Sequence, residues 1–143
     1  MLDSERWSMQ FHTPTKLLRL LFSREVLMFL RRRKSLNYVI DIDGTICEKL
    51  DPSDEYEDSI PIATRIRQIN KLYDQGHKIV YLTARGMGRY KNDRKLAEEE
   101  FYRDTWNQLV FWGCKFHELH LGKPAGDYYI DDKGVNANDF FDT

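Results

Sequence analysis

Cysteine is scarce in this chain: Cys47 and Cys114 are the only two among 143 residues. Two thiols make neither a zinc site nor a disulfide framework, so a reduced, cytoplasmic setting is the default expectation. Net charge is nearly absent as well, at −1 from 22 Lys and Arg against 23 Asp and Glu. Such a chain lacks the excess of cations that non-specific nucleic-acid binding requires, and no nucleic-acid partner is expected. Long apolar runs are missing too. The most apolar early stretch, Leu17 to Leu30, is interrupted by Arg19, Arg24 and Glu25. It falls short of the ~20 apolar residues that a bilayer span needs. It fits a signal peptide poorly, because Asp3 and Glu5 precede it and Arg31-Arg32-Arg33-Lys34 stands where small residues belong. No internal repeat or low-complexity tract occurs.

What is present describes one folded domain of ordinary size. Hydrophobic residues make up 41% and aromatic residues 13%, more than a disordered chain carries. At roughly 150 residues per domain the length accommodates one core. The neutral total hides an asymmetry: residues 1–36 carry +5 and the remainder −6. Composition and pattern change there, which suggests an N-terminal helical extension over 1–35 and a core domain over 36–143. Behind Pro14 the spacing of Leu17, Leu20, Leu21 and Met28, with Leu27 as a further candidate for the same side, predicts a helix over Thr15–Lys34. Two readings stand for it: packing against the domain or a second copy, or a basic amphipathic surface making peripheral contact with anionic lipid.

From Leu36 onward strands and helices alternate. Tyr38–Ile42 reads as a short apolar strand ending in acids, followed by an acidic, turn-rich stretch over 44–59. A helix is expected next, with Ser59 as cap, Pro61 in its first turn and Gly76 as its stop. Its apolar face is Ile62, Ile66, Ile69, Leu72 and Tyr73. His77–Thr83 reads as a second strand. A polar loop over Arg85–Arg94 leads to a long helix, about Lys95–Trp112, with Ala97, Phe101, Thr105, Trp106, Leu109 and Val110 inward. Glu118–Leu121 and Asp127–Asp131 are expected as third and fourth strands. This alternation predicts an α/β domain with a parallel sheet flanked by crossover helices.

In open parallel sheets ligands bind beyond the carboxyl ends of the strands. Strand one ends in Asp41-Ile42-Asp43-Gly44-Thr45, strand two in Thr83-Ala84-Arg85, and Gly122-Lys123-Pro124 follows strand three. The expected fourth strand ends in Asp131-Asp132. If the strands are neighbours, carboxylates, a hydroxyl and an ammonium converge. Clustered carboxylates need a cation between them, and an oxygen-only donor set favours magnesium. A Thr hydroxyl and a Lys ammonium suit the oxygens of a phosphate, and backbone N–H groups around Gly44 can form an anion nest. A carboxylate beside a metal can attack phosphorus, and a second carboxyl two residues on can move the protons. Each residue alone has a plainer reading: Asp as a cap or turn acid, Thr83 as a β-former, Lys123 as a solvated charge. The ordered set of acid pair, Thr, Lys and acid pair is what raises the signal.

Asp41-Ile42-Asp43-Gly44-Thr45-Ile46, Thr83, Lys123 and Asp131-Asp132 together resemble the four signature motifs of the haloacid dehalogenase superfamily of phosphotransferases. The resemblance covers roughly residues 36–140. Tyr81–Gly86, Gly122–Pro124 and Tyr128–Gly134 look like a bacterial subgroup described as capsule or polysaccharide biosynthesis phosphatases. The resemblance implies a Rossmann-like core and a set of roles. Asp41 would be nucleophile and metal ligand. Asp43 would be general acid and base, lending the metal its backbone carbonyl. Gly44, Thr83, Ala84 and Arg85 would surround the phosphate. Lys123 would stabilise the phosphoryl charge and the nucleophile. Asp131, with Asp132 beside it, would hold Mg²⁺. The implied activity is hydrolysis of a small phosphorylated metabolite, with a sugar phosphate as the leading candidate.

Spacing bears on the substrate. Only 39 positions separate Asp43 from Thr83, and they must hold a helix and a strand. One long helix and a loop fill the span from Thr83 to Lys123. Neither leaves room for the cap domain that many members of that superfamily carry. A capless site is either open to large substrates or covered by a neighbouring subunit in a homo-oligomer. The loop Arg85–Lys91 is basic and glycine-containing, with Arg85 as the specificity candidate; the alternative is a solvated loop. Cys47 reads as an oxidation sensor or a packed thiol. His77, His117 and His120 have no metal-ligand spacing and read as structural or surface residues. Two rival functions remain: a phospho-accepting signalling domain, whose acids occur in a different order, and a non-catalytic scaffold of the same fold.

Overall fold

β-Branched and aromatic residues mark two short segments and alternating leucines a third, and these are the strands of a parallel sheet. In the computed structural model, which describes residues 34–142 together with Arg24, β1 is Asn37–Ile40, β2 Lys78–Thr83 and β3 Glu118–Leu121. Their order is β1-β2-β3. Val39 lies opposite Val80 and Tyr81 opposite Leu119, all in parallel register. Parallel neighbours require crossover connections, and helices supply them. α1, Ala63–Asp74, joins β1 to β2, and α2, Arg94–Phe111, joins β2 to β3. A short α3, Ala137–Phe141, follows. The described residues therefore form an α/β domain with a three-stranded parallel sheet flanked by helices. The chain divides into two compact units, Met1–Lys34 and Ser35–Thr143. The helix expected over Thr15–Lys34 lies outside the described residues, apart from Arg24, which is helical and exposed, and Lys34, which is in no helix.

The core forms where side chains alternate into the sheet. Ile79, Tyr81 and Thr83 of β2 and Leu119 and Leu121 of β3 are buried at every second position. Ile66 and Ile69 of α1, Leu109 of α2 and Phe141 of α3 close over them. The imidazoles serve the ladder: His117 Nδ1 accepts from the Ile79 N–H at 3.0 Å and His77 Nδ1 from the Leu36 N–H at 3.1 Å.

Three expectations need correction. The fourth strand, Asp127–Asp131, is absent: the described residues there form a loop with Tyr128 86% and Ile130 94% exposed. Local side-chain bonds satisfy that backbone instead. Tyr129 Oη donates to the Pro124 carbonyl at 2.6 Å, and Asp131 Oδ1 accepts from the N–H groups of Lys133 and Gly134 at 2.5 and 2.6 Å. Ser59 does not cap α1; the helix starts at Ala63 without a side-chain cap, and Ser59 is buried below Arg85. Trp106 and Val110 are not inward but 38% and 57% exposed. The inward stripe of α2 runs through buried Ala97, Thr105 and Leu109 and partly buried Phe101, at intervals of four. Positions 106 and 110 fall one residue, about 100°, past that stripe.

The turn after β2 depends on one glycine. Gly86 has φ +76°, and a Cβ built on it would lie 2.5 Å from Phe101 Cδ2 and 3.1 Å from Ala97 Cβ. Phe101 cannot easily yield, because Tyr56 packs edge-on against it and Arg89 lies over its ring. Gly86→Ala is expected to lower the unfolding free energy by about 2–4 kcal/mol, combining left-handed backbone strain with overpacking. Gly88→Ala, whose Cβ meets nothing within 4 Å, should change it by less than about 0.5 kcal/mol. Urea denaturation of the two variants checks the contrast.

Candidate active site

The turn leaving β1 is organised around the Ile42 carbonyl. It accepts from the N–H groups of Thr45 at 3.0 Å and Ile46 at 2.9 Å, with Cys47 N at 3.4 Å and Cys47 Sγ at 3.5 Å. Gly44, at φ +76°, allows the chain to reverse there. Ile42 and Ile46 are fully buried, which leaves Asp41 and Asp43 on the half-buried side of the turn. The first acid pair is thus presented by a tightly bonded loop at the carboxyl end of a strand.

Two residues remote in sequence reach this pair. Lys123 Nζ lies 3.6 Å from Asp41 Oδ1 and 4.2 Å from the centroid of the Tyr129 ring. Its backbone N–H donates to the Thr83 carbonyl at 3.2 Å, so the end of β2 fixes where Lys123 emerges. Burial pushes the Asp41 carboxyl above its ordinary value, while the Lys123 charge pulls it down and the Asp43 charge pushes it up. Thr83 is buried; its Oγ1 accepts from the Arg85 N–H at 3.1 Å, which leaves the hydroxyl hydrogen available to an acceptor. The Ala84 carbonyl accepts from the Met87 N–H at 2.9 Å.

Arg85 departs from expectation. Its side chain is no open substrate contact: the residue is 2% exposed, and its guanidinium grips Asp43 with both arms. Nε donates to Oδ2 at 2.9 Å and Nη2 to Oδ1 at 2.8 Å. Nη1 donates to Gln108 Oε1 at 2.7 Å and lies 3.4 Å from Thr105 Oγ1. Nη2 is also 3.5 Å from Ser59 Oγ, and the guanidinium carbon stands 4.8 Å from the Tyr56 ring centroid. The rest of the Arg85–Lys91 loop is mixed, with Gly88, Arg89 and Lys91 exposed. Arg89 pairs with Glu100 at 2.6 Å, and Met87 is buried. Gln108, Thr105, Ser59 and Tyr56 did not stand out in the sequence as site residues. Each is an ordinary helix or loop residue there, at least 20 positions from Arg85, and no local spacing marks them.

Tyr56 ties down the segment between β1 and α1. Its hydroxyl accepts from the Gly86 N–H at 3.0 Å, and its carbonyl accepts from Gln108 Nε2 at 2.8 Å. Cys47 is a packed thiol rather than a reactive one: it is fully buried, 3.5 Å from Asp43 Oδ1, and its thiol is pushed up to about 12 by burial and the Asp43 charge.

Asp131 and Asp132 stand apart. Both are exposed, and Asp131 is occupied by its own turn, whose N–H groups hold its carboxyl below the usual carboxylate range. Among the described residues, no group of three or more His, Cys, Asp and Glu gathers as a metal cage would. Magnesium makes a smaller demand: it usually takes one or two carboxylates and completes its shell with water and substrate phosphate. The half-buried Asp41 carboxyl, raised by burial, is the kind of oxygen donor a hard cation relieves. A magnesium ion at the end of β1 would take Asp41, rather than the Arg85-bound Asp43 carboxylate, as its side-chain ligand.

The Asp41 environment predicts a titration. In wild type its carboxyl should titrate above its ordinary 3.8. In Lys123→Met it should rise further, because the nearest cation is gone. A carboxyl raised in the folded state adds stability below its unfolded pKa and loses that contribution as pH rises through the folded value. Carboxyl-carbon NMR of the two proteins measures both midpoints; a Lys123→Met midpoint at or below wild type contradicts the assignment of Lys123 as Asp41's counter-ion.

No family model matches the chain, and no curated protein does. Among solved structures, a structural-genomics target from Vibrio cholerae superposes with a TM-score of 0.69 at 24% identity, covering 76% of this chain and 89% of that one. That likeness supports the fold alone.

Proposed function

We propose that this chain is a phosphomonoester hydrolase of the haloacid dehalogenase type that works through an aspartyl phosphate on Asp41. The observation that carries this reading is the approach of Lys123 to Asp41 at 3.6 Å, across 82 positions of sequence, at the carboxyl end of the sheet. An ammonium there holds the nucleophile and balances charge on a transferring phosphoryl group. The Thr83 hydroxyl and backbone N–H groups around Gly44 would receive the remaining phosphate oxygens.

The reaction balances with the residues at hand. An Asp41 oxygen forms a bond to phosphorus as the bond from phosphorus to the substrate oxygen breaks. The Asp43 carboxyl supplies the proton that turns the departing oxyanion into an alcohol. Water then attacks phosphorus, Asp43 takes its proton, and Asp41 is released with inorganic phosphate. Asp43 Oδ2 accepts one N–H, from Arg85 Nε, so a second lone pair on that oxygen is left to carry the proton while the guanidinium stays in place. Mg²⁺, held by Asp41 and the Asp43 backbone carbonyl, would neutralise phosphate charge and orient the group for in-line attack. Asp131 and Asp132 are offered as further ligands by the resemblance alone.

Between β1 and α1 the described chain holds one 3-10 turn, Tyr56–Asp58, and between β2 and β3 it holds α2. Both are too small for a cap domain, which supports a capless site; the substrate class proposed for it, small phosphorylated metabolites with sugar phosphates among them, is the one the resemblance implies.

Release of phosphate from an aryl phosphate with and without magnesium tests the reading. Metal-dependent turnover is expected in wild type, with Asp41→Asn at background and Lys123→Ala reduced roughly 10²- to 10³-fold. Full activity in Asp41→Asn overturns the assignment. A long-lived phospho-Asp41 without turnover reassigns the chain to phospho-accepting signalling.

A further inference from the structure

The proposed chemistry uses Asp43 but leaves unexplained why a guanidinium is buried against it. A surface ion pair would be incidental; this one is not at the surface. The Arg85 side chain is 1% exposed and that of Asp43 26%. Removing a guanidinium from water is costly, and such a charge persists inside only when its donors are met. Here they are met from three places. Asp43 accepts two N–H groups, one on each oxygen, in the forked manner that restrains a carboxylate's rotation. Gln108 and Thr105 of α2 approach the third nitrogen, and Ser59 and the face of Tyr56 enclose the remainder.

The orientation has a further lock. Gln108 accepts from Arg85 through Oε1 and donates to the Tyr56 carbonyl through Nε2. The Gln amide is thereby held at both ends, and it in turn sets the plane of the guanidinium. The carboxylate of Asp43 is oriented through Arg85 by Gln108, a half-buried residue of α2. The cation at Asp41 comes from a different direction, Lys123. The two carboxylates therefore have separate partners.

We infer that Arg85 is a positioning residue: held by Gln108, it sets the orientation from which the Asp43 carboxyl exchanges protons with the leaving group and with water, and it takes no part in binding substrate. This deepens the hydrolase reading and rests on it. Lysine in place of Arg85 keeps the charge but loses the fork, so Asp43 rotates freely.

The defect should depend on the leaving group. An acidic phenol departs without a proton, whereas an alcohol needs one at the transition state. Steady-state kinetics of wild type, Asp43→Asn, Arg85→Lys and the double variant are compared on 4-nitrophenyl phosphate and on an alkyl phosphate that the wild type hydrolyses. Arg85→Lys should lose roughly 10²-fold in kcat on the alkyl ester. On the nitrophenyl ester the loss in phosphoryl transfer, read in single turnover, should be less than about 5-fold, in the same direction as Asp43→Asn. KM should stay within about 3-fold on both, since binding is unaffected. The double variant should be no slower than Asp43→Asn alone, because the two act as one unit. Gln108→Ala should show the same leaving-group pattern to a smaller degree, and it carries the comparison if Arg85→Lys does not fold. Equal losses on both esters, or a rise in KM with kcat unchanged, overturn the inference while leaving the hydrolase reading intact. Inactivity of wild type on every phosphate ester, or full activity in Asp41→Asn, instead overturns the hydrolase reading and this inference with it.

Discussion

The structure around the first acid pair is organised by one buried guanidinium. Arg85 sits at the end of β2, where the strand's direction sends it into the domain and not toward solvent. Leaving it there unpaired would cost several kcal/mol. The surrounding chain must bring acceptors to it: Asp43 from the turn after β1, Ser59 from the segment before α1, and Thr105 and Gln108 from α2. Satisfying this one side chain thus draws a turn, a loop and a helix to a common point. Its geometry also decides which of the two carboxylates remains open, because a carboxylate gripped on both oxygens has fewer free lone pairs than one facing an ammonium at 3.6 Å.

The open carboxylate has a different environment. Asp41 is half-buried and meets Lys123, whose backbone is bonded to Thr83 and whose ammonium also lies over the Tyr129 ring. Two acids two residues apart thereby acquire unlike surroundings, one enclosed by a guanidinium and one beside a partly exposed cation. Pairs of carboxylates with separated environments are the usual basis for dividing roles in acid–base and nucleophilic chemistry. Tyr129 belongs to the loop whose hydrogen bonds replace an expected strand, so that loop contributes to the site by supporting Lys123 rather than by extending the sheet.

Much of this was legible in the chain. Strand two, with its alternation of buried Ile79, Tyr81 and Thr83, and the third strand Glu118–Leu121 follow directly from period-two patterning. Helix α2 was legible in extent but not in facing, since Trp106 and Val110 are large and apolar yet lie beside the stripe that Ala97 and Leu109 define. The segment Tyr128-Tyr129-Ile130 has strong strand propensity, but Tyr129 and Asp131 bond their own neighbouring backbone, and local bonds of that kind compete with a ladder.

Sequence by itself determined the chemistry available at each strand end: Asp41 and Asp43 after the first strand, Thr83 and Arg85 after the second, Lys123 after the third. Spacing and polarity are local properties, and the parallel α/β pattern already implies that those ends lie together. Only the tertiary structure decided who meets whom. Lys123 reaches Asp41, Arg85 turns inward to Asp43 and Gln108, and Asp131 stays in its own turn. These choices depend on burial and on the direction each side chain leaves the backbone, quantities set by contacts between residues tens of positions apart and carried by no short stretch of sequence.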